Sequence, residues 1–348
     1  MKEVRIGLIG YGMSGSVFHA PLISSVTGLK LHTVVSKNPV KVHQDLPTVK
    51  VVADVATLLA DPDIDVVVVT SPNPTHFSYA KQALEANKHV IVEKPFVIQV
   101  QEADALIALA AKQGCLLSVF QNRRWDNDYL TVKKCIQEGL LGDIFIYEAH
   151  YDLFRPQVSS KWKEHDGAGS GALYDLGSHL IDQALHLFGM PQTVFAEIIK
   201  QRAKAEVDDY FHVVLGYGRL RVVLQSGWMV KQSGPHFQVH GSKGSILKYG
   251  LDPQQSDLQR GLRPGNPVWG KDTAEGYATL ALGSELNIKA RLETVPGCYE
   301  CYYQGIYDSV VNGTPLPVCA ADARNTNQII AYARQSNDEQ RGIIVPQS

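Results

Sequence analysis

The stretch "VRIGLIGYGMSG", Val4 to Gly15, decides the fold. Val4–Ile9 is largely apolar on consecutive positions, as a strand covered on both faces is. Gly10, Tyr11, Gly12, Met13, Ser14 and Gly15 come next, and a helical pattern follows them. Glycines so placed let the chain turn tightly and bring its main chain up to a pyrophosphate, which rests on the amide-rich start of the next helix. Such a match is weak alone and gains its weight from the strand before it and the helix after it. The alternative is a glycine turn with no ligand. Pro21 lies within the following helix and is expected to kink it.

Working outward, apolar runs recur at Val4–Ile9, Leu29–Val35, Val66–Val69, Val90–Val92 and Leu116–Val119. Helical patterns such as "THFSYAKQALEAN" and "VQEADALIALAAKQG" lie between them. Alternation of this kind gives an α/β fold with an N-terminal Rossmann domain, a doubly wound parallel sheet over residues 1–121. After Gln121 the rhythm changes. "DIFIYEAHYDLF", "TVFAEII", "DDYFHVVLGYG", "LRVVLQSGWMV" and "FQVHGSKGSILKYG" follow with few helices between them, and "GSKG" reads as a hairpin turn. Helices are expected at Tyr129–Glu138, about 173–188, about 298–311 and Ala323–Arg334. Residues 122–348 therefore read as an α+β domain on a large open, mainly antiparallel sheet, serving substrate binding and oligomerisation. Its C-terminal helix is free in this reading to pack back on the first domain. An open sheet of that size suggests a homo-oligomer, a dimer or tetramer.

The chain has 348 residues, is 45% hydrophobic and 20% charged, and carries a net charge of −2. Without a long basic run, nucleic acid is not an expected partner. No run of about eighteen apolar residues is present, so no membrane span is expected. The start lacks a signal-peptide pattern, and a cytoplasmic protein is expected. Five cysteines, an odd number, argue against a disulfide framework. "CYEC" (Cys298–Cys301) has zinc or redox spacing, but no second pair accompanies it, so it reads as helix packing and no metal is expected.

Cofactor choice is read after Leu31–Val35, where sites for NAD usually place a carboxylate for the ribose 2′-hydroxyl. Ser36 and Lys37 stand here instead. A hydroxyl and a cation suit a 2′-phosphate, which favours NADP over NAD; a solvated loop lysine is the alternative. In "TSPNPTHF" (Thr70–Phe77), Ser71 and Asn73 are expected to line the cofactor crevice, with Thr75 as a helix cap. His76 either faces the ligand or covers the helix start.

"HVIVEKPF" (His89–Phe96) brings Glu93 and Lys94 out at the same carboxyl edge. Lys94 there can donate a hydrogen bond to a substrate oxygen; an exposed Glu–Lys pair at a turn is the alternative. "GAGSGALYDLGSHLIDQALHLFG" (Gly167–Gly189) places Asp175 and His179 four apart, neighbours on one helix face. A carboxylate beside an imidazole raises its basicity, which suits a general base. Asp182 and His186 continue that face, and a polar helix face at a domain interface is the alternative.

Together "GYGMSG", "TSPNPTH", "EKPF" and "GSGALYDLGSHLID" resemble, in order and spacing, the Gfo/Idh/MocA family of NAD(P)-dependent dehydrogenases. "FQNRRWDNDY" and "LFRPQVSSKWKEHDG" resemble its NADP-dependent scyllo-inositol dehydrogenase subgroup. The resemblance implies Lys94, Asp175 and His179 as the catalytic set, Glu93 and Asn122 beside the cofactor, and a cis bond before Pro95. It also implies oxidation of a secondary alcohol of a cyclitol or sugar. His179 then takes the hydroxyl proton, Asp175 orients the alcohol or the imidazole, and Lys94 bonds the oxygen. Arg123, Arg124, Trp125, Tyr151, Phe154 and Trp162 are candidates for the substrate wall, or else packing between domains. Two rivals stay open: an aldose or deoxysugar enzyme of the same family, and a cofactor-binding sensor without activity.

Overall fold

Six short aliphatic strands build the first sheet: β1 (Val4–Ile9), β2 (Leu29–Val35), β3 (Lys50–Val52), β4 (Val66–Val69), β5 (His89–Val92) and β6 (Leu117–Val119). They are seen in a computed structural model that describes residues 2–159, 164–165, 167–283 and 287–346. All pairings are parallel, in the order β3-β2-β1-β4-β5-β6. Alternate side chains enter two cores, one on each face. Ile6, Leu8, Val66, Val68 and Ile91 join one, and Ile9, Val67, Val69, Val90 and Val92 the other. Burial on both faces explains why β4 reads as an unbroken apolar run and β1 and β5 as largely apolar ones. The exception is β3, whose three residues begin at an exposed lysine and make no such run.

The order reverses between β1 and β4, which makes their carboxyl ends the switch point where open α/β sheets bind ligands. Pro21 does not kink a regular helix. Ser14–His19 forms a wider π turn, and the α-helical part begins only at Ala20, leaving Pro21 in its first turn, where no amide partner is needed.

The second sheet contains β7 (Ile144–His150), β8 (Thr193–Ile199), β9 (Tyr210–Tyr217), β10 (Leu220–Gly227), β11 (Phe237–Gly241), β12 (Gly244–Lys248), β13 (Ala278–Leu282), β14 (Ile288–Leu292) and β15 (Ile343–Ile344). Their order is β14-β13-β12-β11-β7-β10-β9-β8-β15, and only β7 with β10 is parallel. Ser242 and Lys243 make the expected hairpin turn. One face carries Tyr147, Ala149, Val213, Leu215, Val222, Leu224 and Val239 into a core with Tyr129, Val132, Leu180 and Ile181 from helices. The alternating residues are half-buried or, as at Ile146, Phe195 and Ile199, exposed.

Contacts divide the chain into two units, and these are not two contiguous stretches. The first holds residues 1–125, 254–269 and 298–324, and the second holds 126–253, 270–297 and 325–348. Leu258, Trp269, Tyr299, Tyr302, Tyr303 and Ile306 are the reason, since they share the core of Val4, Ile6 and Leu8. The last helix, Ala320–Glu339, begins in a stretch of the first unit and continues in the second.

Gly28 shows how tightly the helix Glu300–Asn312 meets the first sheet. Its φ is +95°, and a Cβ there would run into the ring of Tyr307, whose hydroxyl donates to the Lys2 carbonyl at 3.1 Å. Gly28→Ala is expected to lower stability by about 1–3 kcal/mol through strain and displacement of that ring. Urea unfolding measures it; a loss under about 0.3 kcal/mol would contradict the close approach.

Candidate active site

The glycine turn leaves β1 at the switch point. Gly10 has φ +100° and lies against Thr70, the first residue after β4. The Thr70 hydroxyl reaches the Ile9 and Gly10 carbonyls, each at 3.0 Å, and so ties the turn to the neighbouring strand. A Cβ on Gly15 would meet the Gly10 carbonyl at 2.5 Å, whereas one on Gly12 would meet nothing within 4 Å. Packing therefore closes the turn beneath and leaves it open at Gly12. That fits a pyrophosphate, with the main chain as its contact surface. Tyr11 contributes main chain only, because its ring is buried and its hydroxyl donates to Asp45 at 3.1 Å. Met13 is exposed. Thr70 stood in a stretch singled out from sequence, yet nothing local marked its role.

At the end of β2, Lys37 is exposed and the Ser36 hydroxyl accepts the Asn38 amide at 3.1 Å. Lys41 donates to the Tyr11 carbonyl at 3.3 Å and brings a cation to the glycine turn. It was not foreseen, because it lies inside the helix Pro39–Asp45.

Glu93 and Lys94 leave β5 at the same edge, and the Lys94–Pro95 bond is cis. The reading of Glu93 as part of an exposed pair falls. Its side chain is 13% exposed, and it accepts from the Ser14 hydroxyl and from His19 Nε2 at 3.0 Å on one oxygen. Its other oxygen takes the Lys94 amide at 2.8 Å. Burial works to raise this carboxyl's pKa, but the bonds from His19 and Ser14 and the Lys94 charge outweigh it and bring it to about 2. Lys94 itself is half-buried.

The loop after β4 corrects two expectations. Thr75 does not cap the next helix through its side chain; its hydroxyl bonds Ser71 and the Pro72 carbonyl at 2.6 and 2.7 Å. His76 does not face a ligand. It is 1% exposed, with one ring nitrogen 2.9 Å from the Pro95 carbonyl and the other 2.9 Å from that of Ser71. Burial pushes its pKa down. Asn73 is buried in the short turn Asn73–Thr75.

Most of the described candidates for the substrate wall are buried, with partners inside their own unit. Asn122–Trp125 is one short helical turn, and Asn122, Arg123 and Arg124 are all buried in it. Arg123 donates to Gln255 at 2.9 Å, and Arg124 pairs with Asp322 at 3.1 Å. The Trp125 ring packs edge-on against Tyr302. Tyr151 is buried in the second unit's core, edge-on to His236. Buried guanidinium groups need partners, and these have them. Phe154 alone among the described candidates is exposed, at 47%. Trp162 lies outside the described residues.

In the second unit, Asp175 lies in another π turn, Leu173–Gly177, and His179 in the helix Ser178–Phe188 that continues it. Turns of this kind recur at functional sites. His179 is buried and Asp175 half-buried. Asp182 is buried on the same helix, whereas exposed His186 meets the Tyr129 hydroxyl at 2.7 Å. Asp208, not anticipated from sequence, anchors the start of the turn. Its carboxylate accepts the Leu173 amide at 2.8 Å and faces Arg334 at 3.6 Å. Gly171, with φ +96°, leaves no room for a Cβ against that carboxylate.

Among the described residues no group of His, Cys, Asp and Glu could hold a metal, and no helix is long and apolar enough to cross a membrane. All five cysteines are free thiols.

Residues 4–121 match the family model described as "Oxidoreductase family, NAD-binding Rossmann fold", and residues 133–345 match "Oxidoreductase family, C-terminal alpha/beta domain". The chain belongs to the Gfo/Idh/MocA oxidoreductase family. It is 42% identical to the scyllo-inositol 2-dehydrogenase (NADP(+)) IolW of Bacillus subtilis, over 99% of this chain and 97% of that one. Identity to the uncharacterized oxidoreductase YdgJ of Escherichia coli is 44%, over 96% of each. A solved structure of the Bacillus subtilis oxidoreductase yvaA superposes with a TM-score of 0.97 at 40% identity, covering 99% of each chain. As a member of this family the protein is an NAD(P)-dependent dehydrogenase.

Glu93 makes a prediction about acid. Its carboxyl sits near 2 when folded, against an ordinary value of 4.5, so its contribution is complete above about pH 4.5 and is lost as pH falls towards 2. At about 1.4 kcal/mol per unit, that contribution is at most about 3.5 kcal/mol. Glu93→Gln is expected to lose stability at pH 7 and to flatten the decline between pH 4.5 and 3. Unfolding curves across that range check it, and an unchanged acid slope in the variant would exclude this carboxylate as the source.

Proposed function

We propose that the protein interconverts a secondary alcohol and its ketone on a cyclitol or sugar with NADP(H), with scyllo-inositol the first candidate. The relative named for that substrate and cofactor, similar over nearly its whole length, carries this reading. Ser36 and exposed Lys37, in the place where an acid selects NAD, support the choice of NADP.

The nicotinamide, when bound, supplies the hydride acceptor or donor. The remaining chemistry falls to side chains. His179 takes the hydroxyl proton as the carbonyl forms and returns it in the reverse direction. Asp175, four residues before it, holds the imidazole or the alcohol in orientation. Lys94 donates a hydrogen bond to the same oxygen and offsets the charge that gathers on it.

Purified protein given NADP or NAD with scyllo-inositol, myo-inositol, glucose, xylose or galactose tests this by absorbance. Turnover with NADP and an inositol is expected, whereas turnover with an aldose alone would move the substrate and keep the roles. His179→Ala should lower kcat by about a hundredfold or more, the usual contribution of a general base; a loss under about fivefold would remove it from that role. Lys37→Asp should shift the KM ratio towards NAD, and an unchanged preference would sink the assignment to the 2′-phosphate.

A further inference from the structure

The corner Glu93-Lys94-Pro95 is gripped from two sides by buried histidines that lie outside the proposed reaction set. His76 joins the Pro95 carbonyl to the Ser71 carbonyl. His19, fully buried, stands between Glu93 and Tyr303: Nε2 is 3.0 Å from Glu93 Oε1, and Nδ1 is 2.5 Å from the Tyr303 hydroxyl. We propose that Tyr303, His19 and Glu93 form one relay of hydrogen bonds that holds the glycine turn and the Lys94 main chain in register. His19 and Tyr303 are then positioning residues for the cofactor turn and for Lys94. This rests on the reading that the turn takes a nicotinamide dinucleotide.

With the His19 ring neutral, counting donors gives the relay one direction. The Glu93 carboxylate only accepts, so His19 Nε2 must carry a proton. In the neutral ring Nδ1 is then a lone pair, and it takes the Tyr303 hydroxyl proton. The opposite tautomer would set a lone pair against a carboxylate oxygen, which burial makes costly. Burial raises the Tyr303 phenol well above its ordinary range, which keeps it a donor. The Phe120 ring, with its centroid 4.2 Å from that of His19, supplies an apolar wall, and hydrogen bonds are stronger in such surroundings.

The relay ties together remote segments. Ser14 and His19 belong to the turn after β1, Glu93 follows β5, and Tyr303 lies on Glu300–Asn312. Ser14 donates to the same oxygen as His19, and Lys94 donates its amide to the other. Rotation of this one carboxylate would release both. With both ring nitrogens engaged and no surface exposed, His19 acts through Glu93 rather than on a ligand.

Four variants test it, His19→Leu, His19→Gln, Tyr303→Phe and Glu93→Gln, by NADPH titration and by amide hydrogen exchange without cofactor. His19→Leu should raise the NADPH Kd about tenfold or more and speed exchange at Lys94 and in residues 13–16, since a buried bond to a charged group is lost. His19→Gln, which keeps a donor near Nε2, should stay within about threefold. Tyr303→Phe, which keeps the ring, should show a smaller loss in the same peptides. In the Glu93→Gln background His19→Leu should add little, because both act through one carboxylate. Full additivity, or unchanged exchange in His19→Leu, would overturn the relay. If that variant does not fold, unchanged exchange in Tyr303→Phe overturns it equally. Wild-type protein that binds neither NADPH nor NADH would sink the functional reading, while the exchange measurements still judge the relay.

Discussion

A carboxylate taken out of water organises the nucleotide half of this protein. An ionised group at that depth is tolerated only if donors meet it. Those that meet Glu93 come from the glycine turn, from the π turn behind it and from the next residue's own amide. The geometry of the turn is thus set by the demand of the carboxylate as well as by the glycines. Thr70 completes the fixation by bonding the carbonyls of Ile9 and Gly10 from the adjacent strand. Glycines make the turn possible, and the polar contacts select one shape among those that glycine allows.

The second unit solves a like problem by like means. Asp208 is buried, which raises its pKa, while the Leu173 amide and the Arg334 charge oppose that shift. It meets the first amide of the π turn that carries Asp175, and Gly171 is small enough to let it approach. In each unit a buried acid outside the proposed reaction set supports a wider-than-α turn. A π turn leaves its backbone bonds out of the regular α ladder, so it needs outside support to persist.

The parts legible in the sequence were those governed by local pattern. Val66–Val69 reads as a buried strand because every residue is aliphatic, and the turn at Gly10 reads as a nucleotide turn because a strand precedes it. What depends on distant partners was not legible. Residues 254–269 and 298–324 join the first unit through Trp269, Tyr302 and Tyr303, whose burial is decided hundreds of residues from Val4. Arg123 and Arg124 were open to substrate contact or to packing, and no local pattern marks a buried arginine's partners. Gln255 and Asp322 are the distant partners that let them be buried. His19 carried no signal at all, since its meaning lies wholly in Glu93 and Tyr303.

Substrate choice is a separate matter from the proposed catalytic roles. The roles proposed for Lys94, Asp175 and His179 suit any secondary alcohol, because all three concern one oxygen and its proton. Discrimination between a cyclitol and an aldose needs further donors aimed at the other hydroxyls, and such donors are costly to leave unmet by the wrong substrate. Arg123, Arg124 and Trp125 are already committed to partners in the fold, and Tyr151 to a core. Whichever side chains meet those hydroxyls, the chemistry of hydride transfer does not mark them. A family fold and a matching catalytic set consequently fix the type of reaction more firmly than the molecule on which it is performed.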